Sequence, residues 1–128
     1  MAKIIIATRN SKKLSEIEVF MKDSKLEFCS QLDFDLKSCD EPYGTFVENA
    51  LAKARYASKN TGLPAIADDS GICVDILKGK PGIHSARFAG KSATDEKNIK
   101  KLLKVLNDEI NRKAHFHCSI VFIRNHLD

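Results

Sequence analysis

Two adjacent carboxylates, Asp68 and Asp69, end a short apolar run, Ala65-Ile66-Ala67, and are followed by Ser70-Gly71. Buried together without a counter-charge, they would repel each other. A strand points adjacent side chains to opposite faces, so at most one of the two faces a given cleft, and the other bonds to backbone or to a basic neighbour. By residue type alone the segment is equally a polar turn closing a hairpin and a metal site. Asn10 and Lys13 follow the first apolar run of the chain. A lysine at the start of a helix opposes the dipole, which favours anions there, and an anion between lysine and helix N-terminus would resolve the conflict. The plainer reading is a solvated lysine, like Lys12 beside it.

Glu41 lies in an acidic turn, and Glu48 falls where a capping-box partner of Thr45 belongs. Asn49 and Lys53 share a helix face, as many surface pairs do. His115 and His117 fall on one side of a strand with no third ligand near in sequence, so they are read as incidental, and His84 is a lone loop histidine. The acidic and basic residues share one logic. Mg²⁺ takes oxygen ligands, usually one or two carboxylates plus substrate phosphates. Glu41 and Asp69 have the right chemistry for that, while a helix N-terminus and lysines neutralise the remaining phosphate charge.

The elements that must position these residues follow from periodicity. Lys3 to Thr8 is an apolar, β-branched run suited to a buried strand. It breaks at Arg9-Asn10-Ser11, after which Leu14, Ile17 and Met21 recur at helical spacing. Strand, polar turn and helix in that order aim backbone N–H groups at an anion. Leu26 to Ser30 reads as a second strand, and Gln31 to Gly44 as an acidic irregular stretch ending in a turn. Thr45-Phe46-Val47-Glu48 opens a helix with an apolar stripe at Phe46, Ala50, Leu51, Ala54 and Ala57, ending near Asn60-Thr61-Gly62 with Pro64 beyond. Pro64 to Asp68 and Ile72 to Ile76 are expected as two strands, Lys78 to Gly90 as a loop, Thr94 to Asn107 as a third helix and His115 to Ile123 as a last strand. The order β-α-β-α-β-β-α-β gives an α/β domain with a mixed sheet and flanking helices.

A chain of 128 residues with 43% hydrophobic and 30% charged residues suits one compact globular domain and excludes a disordered one. Ile4-Ile5-Ile6-Ala7 is too short to span a bilayer and lacks the pattern of a signal peptide, so no membrane partner and a cytoplasmic location are expected. Cys29, Cys39, Cys73 and Cys118 form no Cys-x-x-Cys pair and are expected to act as small buried hydrophobes. The net charge of +4 is dispersed. Its one dense run, Lys97-Asn98-Ile99-Lys100-Lys101, sits on a helix whose Ile99, Leu102, Leu103 and Leu106 are expected to turn the lysines to solvent. Without interleaved aromatics or any Trp, nucleic acid is not an expected partner.

Four motifs occur in order: Thr8-Arg9-Asn10-Ser11-Lys12-Lys13, Thr45-Phe46-Val47-Glu48-Asn49-Ala50, Ala67-Asp68-Asp69-Ser70-Gly71 and Pro81-Gly82-Ile83-His84-Ser85-Ala86-Arg87. Together they resemble the inosine triphosphate pyrophosphatase family, which removes the non-standard purine nucleotides ITP, dITP and XTP. The resemblance runs along the whole chain and covers about the first two-thirds of a full-length member's fold. It implies Mg²⁺-dependent hydrolysis to a nucleoside monophosphate and pyrophosphate, and a homodimer. It further implies Asp69 as general base and Mg²⁺ ligand, Glu41 as second carboxylate, and Asp68 as support of the metal shell. By the same resemblance Thr8, Arg9, Asn10, Ser11, Lys12 and Lys13 cradle the triphosphate, with Lys53 neutralising phosphate and Ser70 touching the nucleotide. The family often has Gly where Arg9 stands. Its Phe-Gly-aromatic-Asp-Pro and Ser-His-Arg motifs, which grip the purine, do not occur here, so residues 1–128 are read as one incomplete domain. The alternative is a catalytically silent, truncated remnant that keeps only the triphosphate and metal half-site.

Overall fold

The computed structural model describes residues 3–8, 10–34, 36, 39 and 42–128. Its strands are β1 (Lys3–Ile6), β2 (Glu27–Ser30), β3 (Ala65–Val74), β4 (Lys80–Pro81) and β5 (Ala114–Ile123); its α-helices are α1 (Ser11–Phe20), α2 (Phe46–Thr61) and α3 (Asp95–Val105). Short 3₁₀ turns cover Gln31–Phe34, Asp75–Leu77 and Gly82–Arg87. The architecture is the expected mixed α/β sheet with flanking helices. The chain divides into two compact units, Met1–Asp69 with Ser119–Asp128, and Ser70–Cys118.

In the first unit, β1 pairs in parallel with both β2 and β3, in registers Ile5↔Cys29 and Ile5↔Ala65. A strand flanked in parallel on both sides is covered on both faces, and Ile4, Ile5 and Ile6 are accordingly all buried. The core gathers Ile5 and Ala7, Ala54 and Ala57 of α2, Ala65 and Ala67 of β3, and Ile123 of β5. Helix α2 begins and ends where its sequence signals stand. Thr45 caps it, its Oγ1 accepting from Glu48 N at 3.2 Å and donating to Glu48 Oε1 at 2.7 Å. Gly62 closes it in the left-handed conformation, φ +72°, with its N–H donating to Ser58 O. Helix α1 buries no residue fully, and Val19 and Phe20 lie in solvent.

In the second unit the last residues of β3 pair antiparallel with β4, Cys73↔Pro81 and Val74↔Lys80. Strand β5 pairs with β3.

Three expectations are corrected. The two strands expected on either side of Asp69-Ser70-Gly71 are one continuous strand, so the hairpin reading of that segment falls. Its backbone stays extended because Gly71 packs flat against another backbone segment, as described below. The apolar stripe of α3 is not turned inward throughout: Leu106 is buried, but Ile99 and Leu103 are more than half exposed. Lys97, Lys100 and Lys101 are exposed as expected, and Lys101 also donates to Phe88 O at 2.7 Å and sits over the Phe88 ring. Finally, of the four cysteines only Cys73 is buried, Cys29 and Cys39 are half-buried, and Cys118 is exposed on β5. Burial pushes the Cys29 thiol pKa up.

Among the described residues no helix is long and apolar enough to cross a membrane.

A candidate carboxylate and phosphate site

The site is built on the C-terminal end of the first unit's part of β3. Side chains alternate along this strand between buried and half-buried, Asp69 falling in the buried set and Asp68 in the other. Each carboxylate meets its own lysine. Asp68 Oδ2 accepts from Lys13 Nζ at 2.8 Å, and Asp69 Oδ1 lies 3.7 Å from Lys53 Nζ. The alternation sends the two adjacent carboxylates to opposite sides of the strand, each against its own lysine.

The lysines are delivered by two helices. After β1, Thr8 Oγ1 accepts from Asn10 N at 3.1 Å, and Asn10 Oδ1 accepts from Lys12 N and Lys13 N at 3.0 and 3.3 Å. Asn10 is thus the N-cap of α1, whose first turn holds no acidic residue. Ser11 and Lys12 are exposed, and Lys13 is half-buried and turned to Asp68. The conflict between Lys13 and the helix dipole is therefore resolved by a carboxylate from β3. Lys53 projects from α2, one turn beyond Asn49. Sequence reasoning missed the role of Asn49, which is buried and brackets Tyr43, donating to Tyr43 O at 3.2 Å and accepting from Tyr43 N at 3.1 Å. The available signal was a poor helix former set inside a helix next to the apolar stripe, where only a buried hydrogen-bonding task repays its propensity cost.

The structure thus brings Asn10, Lys13, Lys53, Asp68 and Asp69 together in one unit, with Thr8 ordering the turn. Arg9 and Glu41 lie outside the described residues. Ser70, half-buried, opens the second unit directly after Asp69. His84, His115 and His117 are exposed, and among the described residues no group of three or more His, Cys, Asp or Glu is gathered as metal ligands are. The donor chemistry nevertheless suits a hard cation. Asp69 offers carboxylate oxygens at a buried position, and Mg²⁺ needs only one or two such groups when phosphates complete its shell.

Comparison with known proteins identifies the family. The model of the Ham1 family matches residues 4–128. A dITP/XTP pyrophosphatase of Nitrosomonas europaea is 49% identical over 128 residues, covering 100% of this chain and 63% of that protein. The dITP/XTP pyrophosphatase of Escherichia coli K12 is 47% identical over 130 residues, covering 100% of this chain and 66% of that protein. Among solved structures, a HAM1 protein from Coxiella burnetii superimposes with a TM-score of 0.92 at 45% identity, over 100% of this chain and 66% of its own. The Staphylococcus aureus Ham1 protein gives a TM-score of 0.84 at 36% identity, over 98% and 65%. The chain spans just under two thirds of the length of the relatives it matches. With the family model matched from Ile4 to the last residue, and relatives this similar along the whole chain, the protein belongs to the Ham1 family.

Proposed function

We propose that the chain carries the triphosphate-cleaving site of a pyrophosphatase acting on non-standard purine nucleoside triphosphates, ITP, dITP and XTP, with release of the nucleoside monophosphate and pyrophosphate. The relatives' names support the substrate class. The observation that carries the chemistry is the pair of carboxylates on β3, each set against a lysine from a different helix.

Asp69 is the general base. It takes a proton from the attacking water, whose oxygen bonds to the α-phosphorus while the bond from that phosphorus to the bridging oxygen breaks and its electron pair leaves with pyrophosphate. Lys53, 3.7 Å from Asp69, faces phosphate charge when substrate binds. On the other face of the strand, Asp68 holds the Lys13 ammonium near the start of α1, where ammonium and helix N-terminus together offer an anion site. The turn from Thr8 to Lys13, Arg9 included, cradles the triphosphate, and Ser70 touches the nucleotide. Asp69 and Glu41 are the residues that would hold Mg²⁺, with Asp68 supporting the metal shell. Bound there, the ion supplies Lewis-acid neutralisation of phosphate charge. Residues 1–128 are read as part of one pyrophosphatase domain that acts in the cytoplasm, forms a homodimer where the domain is whole, and has no nucleic acid or membrane partner.

The test is pyrophosphate release from ITP by the 128-residue chain with and without Mg²⁺. Expected is Mg²⁺-dependent turnover that Asp69→Asn lowers by about 100-fold or more. Full activity in Asp69→Asn would refute the base assignment. A rise in melting temperature on adding ITP, without pyrophosphate release, would instead establish a silent triphosphate-binding half-site.

A further inference from the structure

The fourth sequence motif, Pro81 to Arg87, takes no part in the chemistry above, yet it packs closely on β3 at Gly71. A Cβ on Gly71 would overlap Gly82 O and stand 2.6 Å from Ser85 Oγ. The backbone of β3 therefore reaches this turn only because residue 71 is glycine. Ser85 Oγ then accepts from Ile72 N at 2.9 Å and donates to Gly82 O at 2.6 Å. The hydroxyl ties the strand just after Ser70 to the turn.

The turn itself is held from α3. Asn98 Nδ2 donates to Ala86 O at 3.1 Å, and Asn98 Oδ1 accepts from Ala89 N at 2.8 Å. Lys101 adds its bond to Phe88 O. A row of side-chain-to-backbone bonds thus runs from α3 through residues 86–89 to Ser85, and ends on Ile72, two residues from Ser70. A half-buried backbone N–H left without its acceptor would allow that strand segment to shift.

We infer that Ser85, buttressed by Asn98, is a positioning residue that sets the backbone at Gly71–Ile72 and thereby the placement of Ser70 against the nucleotide. The inference rests on reading Ser70 as a nucleotide contact. A hydroxyl that acts only by placing another residue has no effect once that residue's side chain is gone, and this separates positioning from general support of the fold.

The experiment measures the affinity of the full chain for ITP by calorimetry without Mg²⁺, so that the metal-dependent turnover expected above does not consume the ligand. It compares wild type, Ser85→Ala, Asn98→Ala, Ser70→Ala and the two doubles with Ser70→Ala, each checked for a cooperative melt. Ser85→Ala is expected to weaken ITP binding about fivefold and Asn98→Ala about threefold, the scale of one lost hydrogen bond. In the Ser70→Ala background both effects should shrink to less than about twofold. Wild-type affinity in Ser85→Ala and Asn98→Ala, or losses undiminished when Ser70 is absent, would overturn the inference. Should Ser85→Ala not fold, Asn98→Ala in both backgrounds decides the matter. Binding without hydrolysis by the wild type would remove the catalytic reading and leave the positioning claim standing on these affinities. A wild type that does not bind ITP removes both.

Discussion

Strands β3 and β5 are both ten residues long and pair with each other, yet their relation between residue type and burial is inverted. Strand β3 carries Asp68, Asp69 and Ser70 at its middle, and none of its residues is exposed. Strand β5 carries Phe116, Ile120 and Phe122 on one face, and all three are more than half exposed. Hydropathy alone does not decide burial; neighbours do. The carboxylates stay inside because a lysine from α1 or α2 meets each of them, while no element among the described residues covers the even-numbered face of β5. A polar strand held inside by specific partners is the signature of a site, and such groups are retained at a cost in stability.

The sharpest way to break the comparison lies within β5 itself. Ile123 is its one buried residue and belongs to the core cluster, whereas Ile120 is two-thirds exposed. Ile123→Ala is expected to cost about 2–5 kcal/mol of unfolding free energy, and Ile120→Ala to stay within about 0.5 kcal/mol. Urea denaturation of the two variants measures both, and equal losses would show that β5 is covered on both faces in solution.

In β3 the matching test is Gly71→Ala. The added methyl has backbone in its way at Gly82, so strand or turn must move, at about 1–3 kcal/mol. The thermal midpoint should fall while Gly44→Ala, where a Cβ meets nothing within 4 Å, leaves it nearly unchanged. Smaller again is the effect of Lys13→Met. It leaves the half-buried Asp68 without its ammonium and should cost about 1 kcal/mol, discounted because Lys13 is one-third exposed. Asp68→Asn in the same chain should recover most of that loss; a double-mutant cycle with no coupling would dissolve the pair.

Much of this was legible in the sequence because it is written in local signals. The capping box at Thr45–Glu48, the closing Gly62 and the apolar run of β1 each specify their element within a few residues. The alternation rule for strands also separates Asp68 from Asp69. What stayed hidden was set by contacts between residues far apart in sequence. Asp69-Ser70-Gly71 has the composition of a turn, and only the approach of Gly82 and Ser85 explains why it runs on as strand. The pairing of Lys13 with Asp68 spans 55 positions, beyond the reach of any periodicity. On α3, Asn98 and Lys101 hold the preceding turn through bonds to its backbone that no periodicity announces, and the leucines expected to bury do so only at Leu106.

The smallest expected effect concerns how the exposed strand is finished. Just past β5, Arg124 Nη2 donates to Asp128 Oδ1 at 2.9 Å, and Arg124 N donates to Asp128 Oδ2 at 2.7 Å. Arg55 of α2 donates to Asp128 O through Nε and Nη2, at 3.0 and 2.6 Å. The Arg124 side chain, and after it the Arg124 backbone N–H, lower the Asp128 carboxyl from its ordinary 3.8 to about 2. A carboxyl lowered in the folded state stabilises fully above its ordinary value and loses that contribution as pH falls through about 2. Between pH 5 and 8, a range above both values, the pair therefore adds no pH dependence, and any slope there belongs to other groups. Because the Arg124 side chain is open to water, salt should weaken the pair as well. A carboxyl titration followed by NMR should give a midpoint near 2 for Asp128, moving back toward 3.8 in Arg124→Gln. A wild-type midpoint already at 3.8 would mean that Arg124 does not hold Asp128 in solution, and that β5 is left as open at its end as along its face.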